Sequence, residues 1–306
     1  MKLATWNVNS LKVRLPRVLE FLDQHRPDVL CIQETKTEAS AFPHLELQAA
    51  GYQAVEHSAG RWAGVAILAP VDTDIADIRA GLPGEPTAGE ARYLDATVGG
   101  HRMASVYVPN GRALDSPFFA DKLAFLDALG ARAPDLDVLA GDLNVTRSDA
   151  DVYDPAAFSG STHVTPEERD RLEAIVAAGP RDAYRQLHPD EVGFTWWDYR
   201  QGHFHRKMGL RIDYLLLGTR LAERLTSCGI DRDFRKGPKP SDHAPLWPSL
   251  VPERDHPVLV CSVQRPPSHQ RRPACPCGSG YQPAAGPPVA GPAEDTDRPT
   301  SARLTT

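Results

Sequence analysis

The chain is 306 residues long, with 34 Lys and Arg against 40 Asp and Glu, a net charge of −6 and five cysteines. Length leaves one or two domains open, and the acidic balance argues only weakly against a nucleic-acid partner, because a local basic stripe still meets phosphate. An odd cysteine count, with Cys31 inside an apolar run, argues against a disulfide framework; with no signal-peptide core and no bilayer-length apolar stretch, a cytoplasmic protein without a membrane partner is expected.

In chain order, Lys2–Trp6 reads as a buried strand and runs into Trp6-Asn7-Val8-Asn9, where Asn7 and Asn9 alternate with Val8 and point the same way. Leu15, Val18, Leu19 and Leu22 recur at helical spacing and predict a helix over Leu15–His25. Asp28–Ile32 is a second buried strand, closed by Gln33-Glu34-Thr35-Lys36. Strand runs follow at Gly64–Leu68, Tyr93–Val98 and Arg102–Val108, and Val98-Gly99-Gly100-His101 is a hairpin signal that makes some of the pairing antiparallel. Phe118, Phe119, Leu123, Phe125, Leu126 and Leu129 predict a helix over Ser116–Ala131. Leu136–Ala140 leads into Gly141-Asp142-Leu143-Asn144, Thr165 caps a helix with Pro166 in its first turn, and Leu210-Arg211-Ile212-Asp213 opens the strand Ile212–Leu217. Ser241-Asp242-His243 is the last of the polar motifs. The alternation predicts an α/β fold, two mixed sheets packed face to face with helices on the outer surfaces.

Composition changes near residue 251. Residues 251–306 hold 11 of the 28 prolines and few large apolar residues, which predicts a domain over 1–250 followed by a disordered tail. Within that tail, Cys275-Pro276-Cys277 offers two thiolates, half of a four-ligand zinc site, and reads as unstructured chain.

A carboxylate, amide or imidazole at a strand end is held rigidly while its tip stays free, as a metal-dependent phosphoryl-transfer site requires. Glu34 at the mouth of a buried strand suits a hard cation such as Mg²⁺. Alone, it reads first as a solvated strand-end glutamate, and Asn7 as turn chemistry; the metal or phosphate reading comes from their company. Gly141-Asp142-Leu143-Asn144 offers Asp142 to orient water or take its proton and Asn144 to hydrogen-bond the nucleophile or phosphate; alone, the motif is also an Asx turn. Asp213, Asp242 and His243 complete an acid–base set, since a carboxylate favours the charged imidazole, which stabilises a phosphate transition state.

These motifs resemble those of the exonuclease III family of apurinic/apyrimidinic endonucleases over about residues 1–250. The signatures are Gln33–Lys36, Tyr107-Val108-Pro109-Asn110-Gly111, Gly141–Val145, Thr195-Trp196-Trp197-Asp198-Tyr199-Arg200, Gly209–Asp213 and Lys239–Pro245. The resemblance implies a four-layered α/β sandwich with the site at one end of the two sheets. It implies that Asn7 and Glu34 bind Mg²⁺ or Mn²⁺, with Asp142, Asn144, Asp242 and His243 in the metal environment. Asp142 would orient the attacking water with help from Asn144, Tyr107 and Asn110 would touch the scissile phosphate, and Asp213 would hold His243. Trp196, Leu210 and Ile212 would wall a pocket for a deoxyribose that has lost its base, with Trp197 in the core. Arg61, Arg112, Lys122, Arg206, Lys207 and Arg211 would form a phosphate stripe.

The implied partner is double-stranded DNA with abasic sites or blocked 3′ ends, bound by a monomer at the nucleoid. Two alternatives stay open: another superfamily phosphodiesterase or phosphatase acting on RNA, inositol phosphate or phospholipid, and a non-catalytic DNA-binding relative. The Trp196–Arg200 segment running into Gly209–Asp213 favours DNA repair, and the intact polar set favours catalysis.

Overall fold

The fold is described for residues 1–252 in a computed structural model. The readings of the tail, including Cys275 and Cys277, lie outside the described residues. The first half of the chain runs β1 (Leu3–Asn7), α1 (Leu11–His25), β2 (Val29–Gln33), α2 (His44–Ala49), β3 (Tyr52–His57), β4 (Val65–Pro70), β5 (Ile75–Ala80), β6 (Tyr93–Val98) and β7 (His101–Tyr107). The second half runs α3 (Pro117–Arg132), β8 (Val138–Asp142), α4 (Pro166–Ala177), β9 (Arg181–Asp182), α5 (Ala183–Leu187), β10 (Asp213–Leu217), α6 (Thr219–Ala222), β11 (Leu225–Ile230) and β12 (Leu246–Leu250). Two six-stranded sheets result, in the orders β11-β12-β1-β2-β4-β3 and β5-β6-β7-β8-β10-β9. Both are mixed: β1 and β2 run parallel, as do β7 and β8, and the remaining pairs are antiparallel.

Period-two alternation explains the layering. Leu3, Val29, Cys31, Val65 and Ile67 from the first sheet meet Leu94, Ala96, Met103, Val138, Ala140 and Leu215 from the second in one core. The opposite faces carry Ala4, Trp6, Leu30 and Ile32 against Val18, Phe21 and Leu22 of α1, and Tyr93, Ala104, Val106 and Leu139 against Phe125, Leu126 and Leu129 of α3. This is the expected four-layered sandwich. The first predicted helix begins at Leu11, four residues early, and the strand predicted to end at Ala140 extends to Asp142. No helix among the described residues is long and apolar enough to cross a membrane.

Register places the polar strand ends in rows. Tyr107 of β7 pairs with Asp142 of β8, which pairs with Asp213 of β10. In the other sheet Asn7 pairs with Gln33, so Glu34 is the next residue out. Gly141 makes the β7–β8 approach possible: its φ is +151°, and a Cβ there would lie 1.9 Å from the Val106 carbonyl oxygen.

Candidate active site

The two rows face each other across the seam between the sheets. Asn7 bridges them: its Nδ2 donates to Glu34 Oε1 at 2.7 Å and to Asp142 Oδ2 at 2.9 Å. Both loop motifs are Asx turns as well as site residues, because Asn9 N donates to Asn7 Oδ1 (3.0 Å) and Asn144 N to Asp142 Oδ1 (2.9 Å). The turn and site readings of these motifs are therefore compatible. Glu34 and Asn144 both have left-handed backbones, with φ of 52° and 51°. Such strain in a glutamate persists only where the surroundings enforce it; here Ser10 N donates to Glu34 O at 2.7 Å, and Lys36 pairs with Glu34 Oε2 at 2.6 Å.

His243 is fixed from several directions. Its Nδ1 lies 2.8 Å from Asp213 Oδ2, its Nε2 lies 3.7 Å from Asp142 Oδ2, and its carbonyl accepts from the Trp6 indole at 3.1 Å. Ser241 Oγ donates to Asn7 O at 2.7 Å and accepts from His243 N at 3.2 Å, tying the last motif to the first strand. Burial disfavours the imidazolium, but Asp213 and Asp142 outweigh it and push His243 up to about 10. Burial also raises Asp142; His243 opposes this, Asp213 adds to it, and the carboxyl stands at about 7. Tyr107 is held neutral, well above the usual phenol range, by burial and by the charges of Glu34 and Asp142.

Glu34, Asp142 and His243 bring ligand-type atoms within 4.8 Å of one another. The Glu34 and Asp142 carboxylates are the oxygen ligands a hard divalent cation takes, while Asn7 presents its Nδ2 to both of them and its Oδ1 to Asn9 N. His243 stands in the same group of ligand-type atoms, with its Nδ1 taken by Asp213 at 2.8 Å and its Nε2 toward Asp142. Asp242 is not part of that cluster: its Oδ1 accepts from Asn9 Nδ2 (2.9 Å) and its Oδ2 from Trp196 Nε1 (3.1 Å). The Asn144 Nδ2 donates to Val108 O at 3.0 Å, and its Oδ1 lies 3.1 Å from His163 Nε2.

A cavity of about 320 Å³ opens beside these groups, walled by Trp196, Leu210, Ile212 and Phe158. Leu210 and Ile212 are buried with Val152, and Trp197 is a core residue. A larger cleft of about 740 Å³ contains Lys207 but none of the acid–base residues. Asn110, Arg112, Arg206 and Lys207 are exposed, and Arg112 lies over the Phe118 ring at 3.6 Å.

Two members of the expected phosphate stripe are elsewhere. Arg211 is fully buried; its Nε and Nη2 donate to Asp151 at 2.7 and 3.1 Å, and its Nη1 lies 2.9 Å from Asp182, close but misaligned for a hydrogen bond. Lys122 is fully buried against Glu168. Neither meets DNA, because both charges are consumed by buried carboxylates.

His163 was not foreseen. Its Nε2 stands 3.1 Å from Asn144 Oδ1 and 3.2 Å from Asn110 Nδ2, at the rim of the cavity. Burial and the nearby Lys122 lower it to about 3, so the ring is neutral. It lies in an irregular stretch between elements, and no periodicity or motif marks it.

The sequence pattern of the Endonuclease/Exonuclease/phosphatase family matches residues 4–243. Exodeoxyribonuclease III of Haemophilus influenzae is 30% identical over 266 residues, covering 81% of this chain and 98% of its own. A solved 3′ phosphatase, NExo from Neisseria bound to product DNA hairpin, superposes with a TM-score of 0.79 at 38% identity, covering 82% of this chain and 99% of its own. An AP endonuclease from Archaeoglobus fulgidus gives 0.78 at 34% identity, with 82% and 99% covered.

Proposed function

Because this chain belongs to the endonuclease/exonuclease/phosphatase family, we propose that it is a DNA-repair nuclease, hydrolysing the phosphodiester 5′ to an abasic site and removing nucleotides or blocking groups from 3′ ends. The observation that carries this reading is the meeting, across one seam, of the Glu34–Asn7–Asp142 group with the His243–Asp213 pair.

Glu34 and Asn7 would hold Mg²⁺ or Mn²⁺, with Asp142 beside them. When bound, such an ion supplies positive charge at a phosphate oxygen and eases deprotonation of water. Asp142, a buried carboxylate held by Asn7 and facing His243, orients the attacking water and takes its proton. Charged His243 faces the same space and neutralises the phosphate as negative charge builds. The Tyr107 phenol and the Asn110 amide line the same cavity and would donate to phosphate oxygens, and the Trp196–Leu210–Ile212 wall suits a sugar without its base. Exposed Arg112, Arg206 and Lys207 supply contacts to the flanking backbone of double-stranded DNA.

The test uses purified full-length protein, Mg²⁺, and three duplexes: one with a single abasic site, one with a recessed 3′-phosphate, and an intact control. Cleavage at the abasic site and loss of the 3′-phosphate are expected, both abolished by excess EDTA and restored by Mg²⁺ or Mn²⁺. No product on either damaged duplex would overturn the nuclease reading, and undiminished turnover in EDTA would overturn the metal assignment.

A further inference from the structure

One buried cation has no part in the chemistry above. Lys122 projects from α3 with its side chain fully buried, where an ammonium is found only when paired. Its Nζ donates to Asn144 O at 2.6 Å, Asn110 O at 3.2 Å and Thr162 Oγ1 at 3.0 Å, and it pairs with Glu168. All of its donor capacity is spent inward. Glu168, equally buried on α4, works from the other side. Its Oε1 accepts from His163 N (2.9 Å) and lies 2.7 Å from Thr162 Oγ1, while its Oε2 accepts from Thr165 N and Oγ1 at 3.0 and 2.8 Å. Burial alone would raise the Glu168 carboxyl, but Lys122 and hydrogen bonds from Thr162 and His163 hold it down, at about 2.

One charge centre therefore closes three loops. The loop after β7 carries Asn110, the loop after β8 carries Asn144, and the segment before α4 carries His163. The backbones of all three are gripped by the pair, and their side chains meet at the rim of the cavity. Asn144 and His163 have left-handed backbones, with φ of 51° and 83°, which need external restraint to persist. An apolar residue at 122 would leave the buried Asn144 carbonyl without this donor, so hydrophobic packing cannot substitute for the ammonium.

We propose that Lys122 and Glu168 are positioning residues that act through Asn144, setting its side chain against the scissile phosphate with Asn110 and His163 packed beside it. This rests on the nuclease reading above. Misplacing a catalytic group by 1 Å costs on the order of 100-fold, so Lys122→Met should lower kcat by about 10- to 100-fold while KM stays within about threefold.

A double-mutant cycle separates positioning from simple destabilisation, because a residue that acts through Asn144 has little left to disturb once that side chain is gone. On an Asn144→Ala background, Lys122→Met should lower kcat by less than about threefold. All rates are taken well below each variant's Tm, with folded state checked by circular dichroism. Thr162→Val, nearly isosteric, is carried through the same cycle and takes the place of Lys122→Met if that variant does not fold; it should cost about three- to tenfold alone and under about twofold on the Asn144→Ala background. Equal fold-losses on both backgrounds would overturn the proposal. Wild-type turnover is the control: its absence counts against the nuclease reading, whereas normal wild-type turnover with equal losses counts against the positioning role alone.

Discussion

Replacing Arg211 with methionine should damage stability and leave DNA contact untouched. Methionine keeps much of the volume but removes a guanidinium that is fully buried between Asp151 and Asp182. Asp151 retains Arg185, whereas Asp182 Oδ2 is left with Arg147 at 3.8 Å, so a buried carboxylate loses its nearest counter-charge. Breaking a buried pair from one side costs about 3–5 kcal/mol. In a domain of this size each kcal/mol moves Tm by about 2–4 °C, so Tm should fall by about 6–20 °C. Differential scanning calorimetry of wild type and Arg211→Met measures that directly, and binding of an abasic duplex across a salt series measures the rest. A lost phosphate contact would reduce the slope of log affinity against log salt by about 0.9, whereas the buried assignment requires the slope to be unchanged. An unaltered Tm with a slope reduced by that amount would return Arg211 to the DNA surface and refute the reasoning.

Asp142→Asn and His243→Asn should each lower kcat by about two to four decades with little change in DNA affinity; single-turnover rates within about threefold of wild type would remove that residue from the chemistry. Glu168, lowered to about 2 from the ordinary 4.5, contributes stability that is fully present above about pH 4.5 and lost as pH falls through about 2. Burial lowers the Lys122 amine at the same time, so the pair is worth less than the Glu168 shift alone suggests. Lys122→Met removes the counter-charge and should move the acid-unfolding midpoint, followed by tryptophan fluorescence, up by about one pH unit or more; an unmoved midpoint would contradict the pairing. Deleting residues 256–306 removes none of the described strands or site residues, and cleavage and Tm should stay within error. A shallower salt slope in the truncated protein would instead assign DNA affinity to the five arginines removed with residues 256–306.

The residues legible from sequence are those delivered by buried strands. Apolar runs mark where β1, β2, β8 and β10 end, and Asn7, Glu34, Asp142 and Asp213 stand at or beside those ends. What stayed hidden has two physical sources. Edge strands β3, β5, β9 and β11 have at least one face or edge toward solvent and lack a long apolar run; β5, for example, has four consecutive exposed residues. Burial of a charge is set by a distant partner, so Lys122, meeting Glu168, and Arg211, meeting Asp151, look in sequence like ordinary surface cations. His163 combines both difficulties, since its place at the cavity depends on loops that periodicity does not describe.

The seam between the sheets also makes the site depend on parts of the chain that are far apart in sequence. Asn9 and Asp242, hydrogen-bonded in the finished site, are 233 residues apart, and β12 takes its place between β1 and β11, beside the strand made first. Without the Ser241–His243 motif that precedes β12, the Glu34 and Asp142 carboxylates have no imidazolium opposite them, and the Trp6 indole has no His243 carbonyl to hold. A chain cut off before Ser241 would therefore carry the Glu34–Asn7–Asp142 group without its counterpart. The site is complete only where both ends of residues 1–250 are folded together.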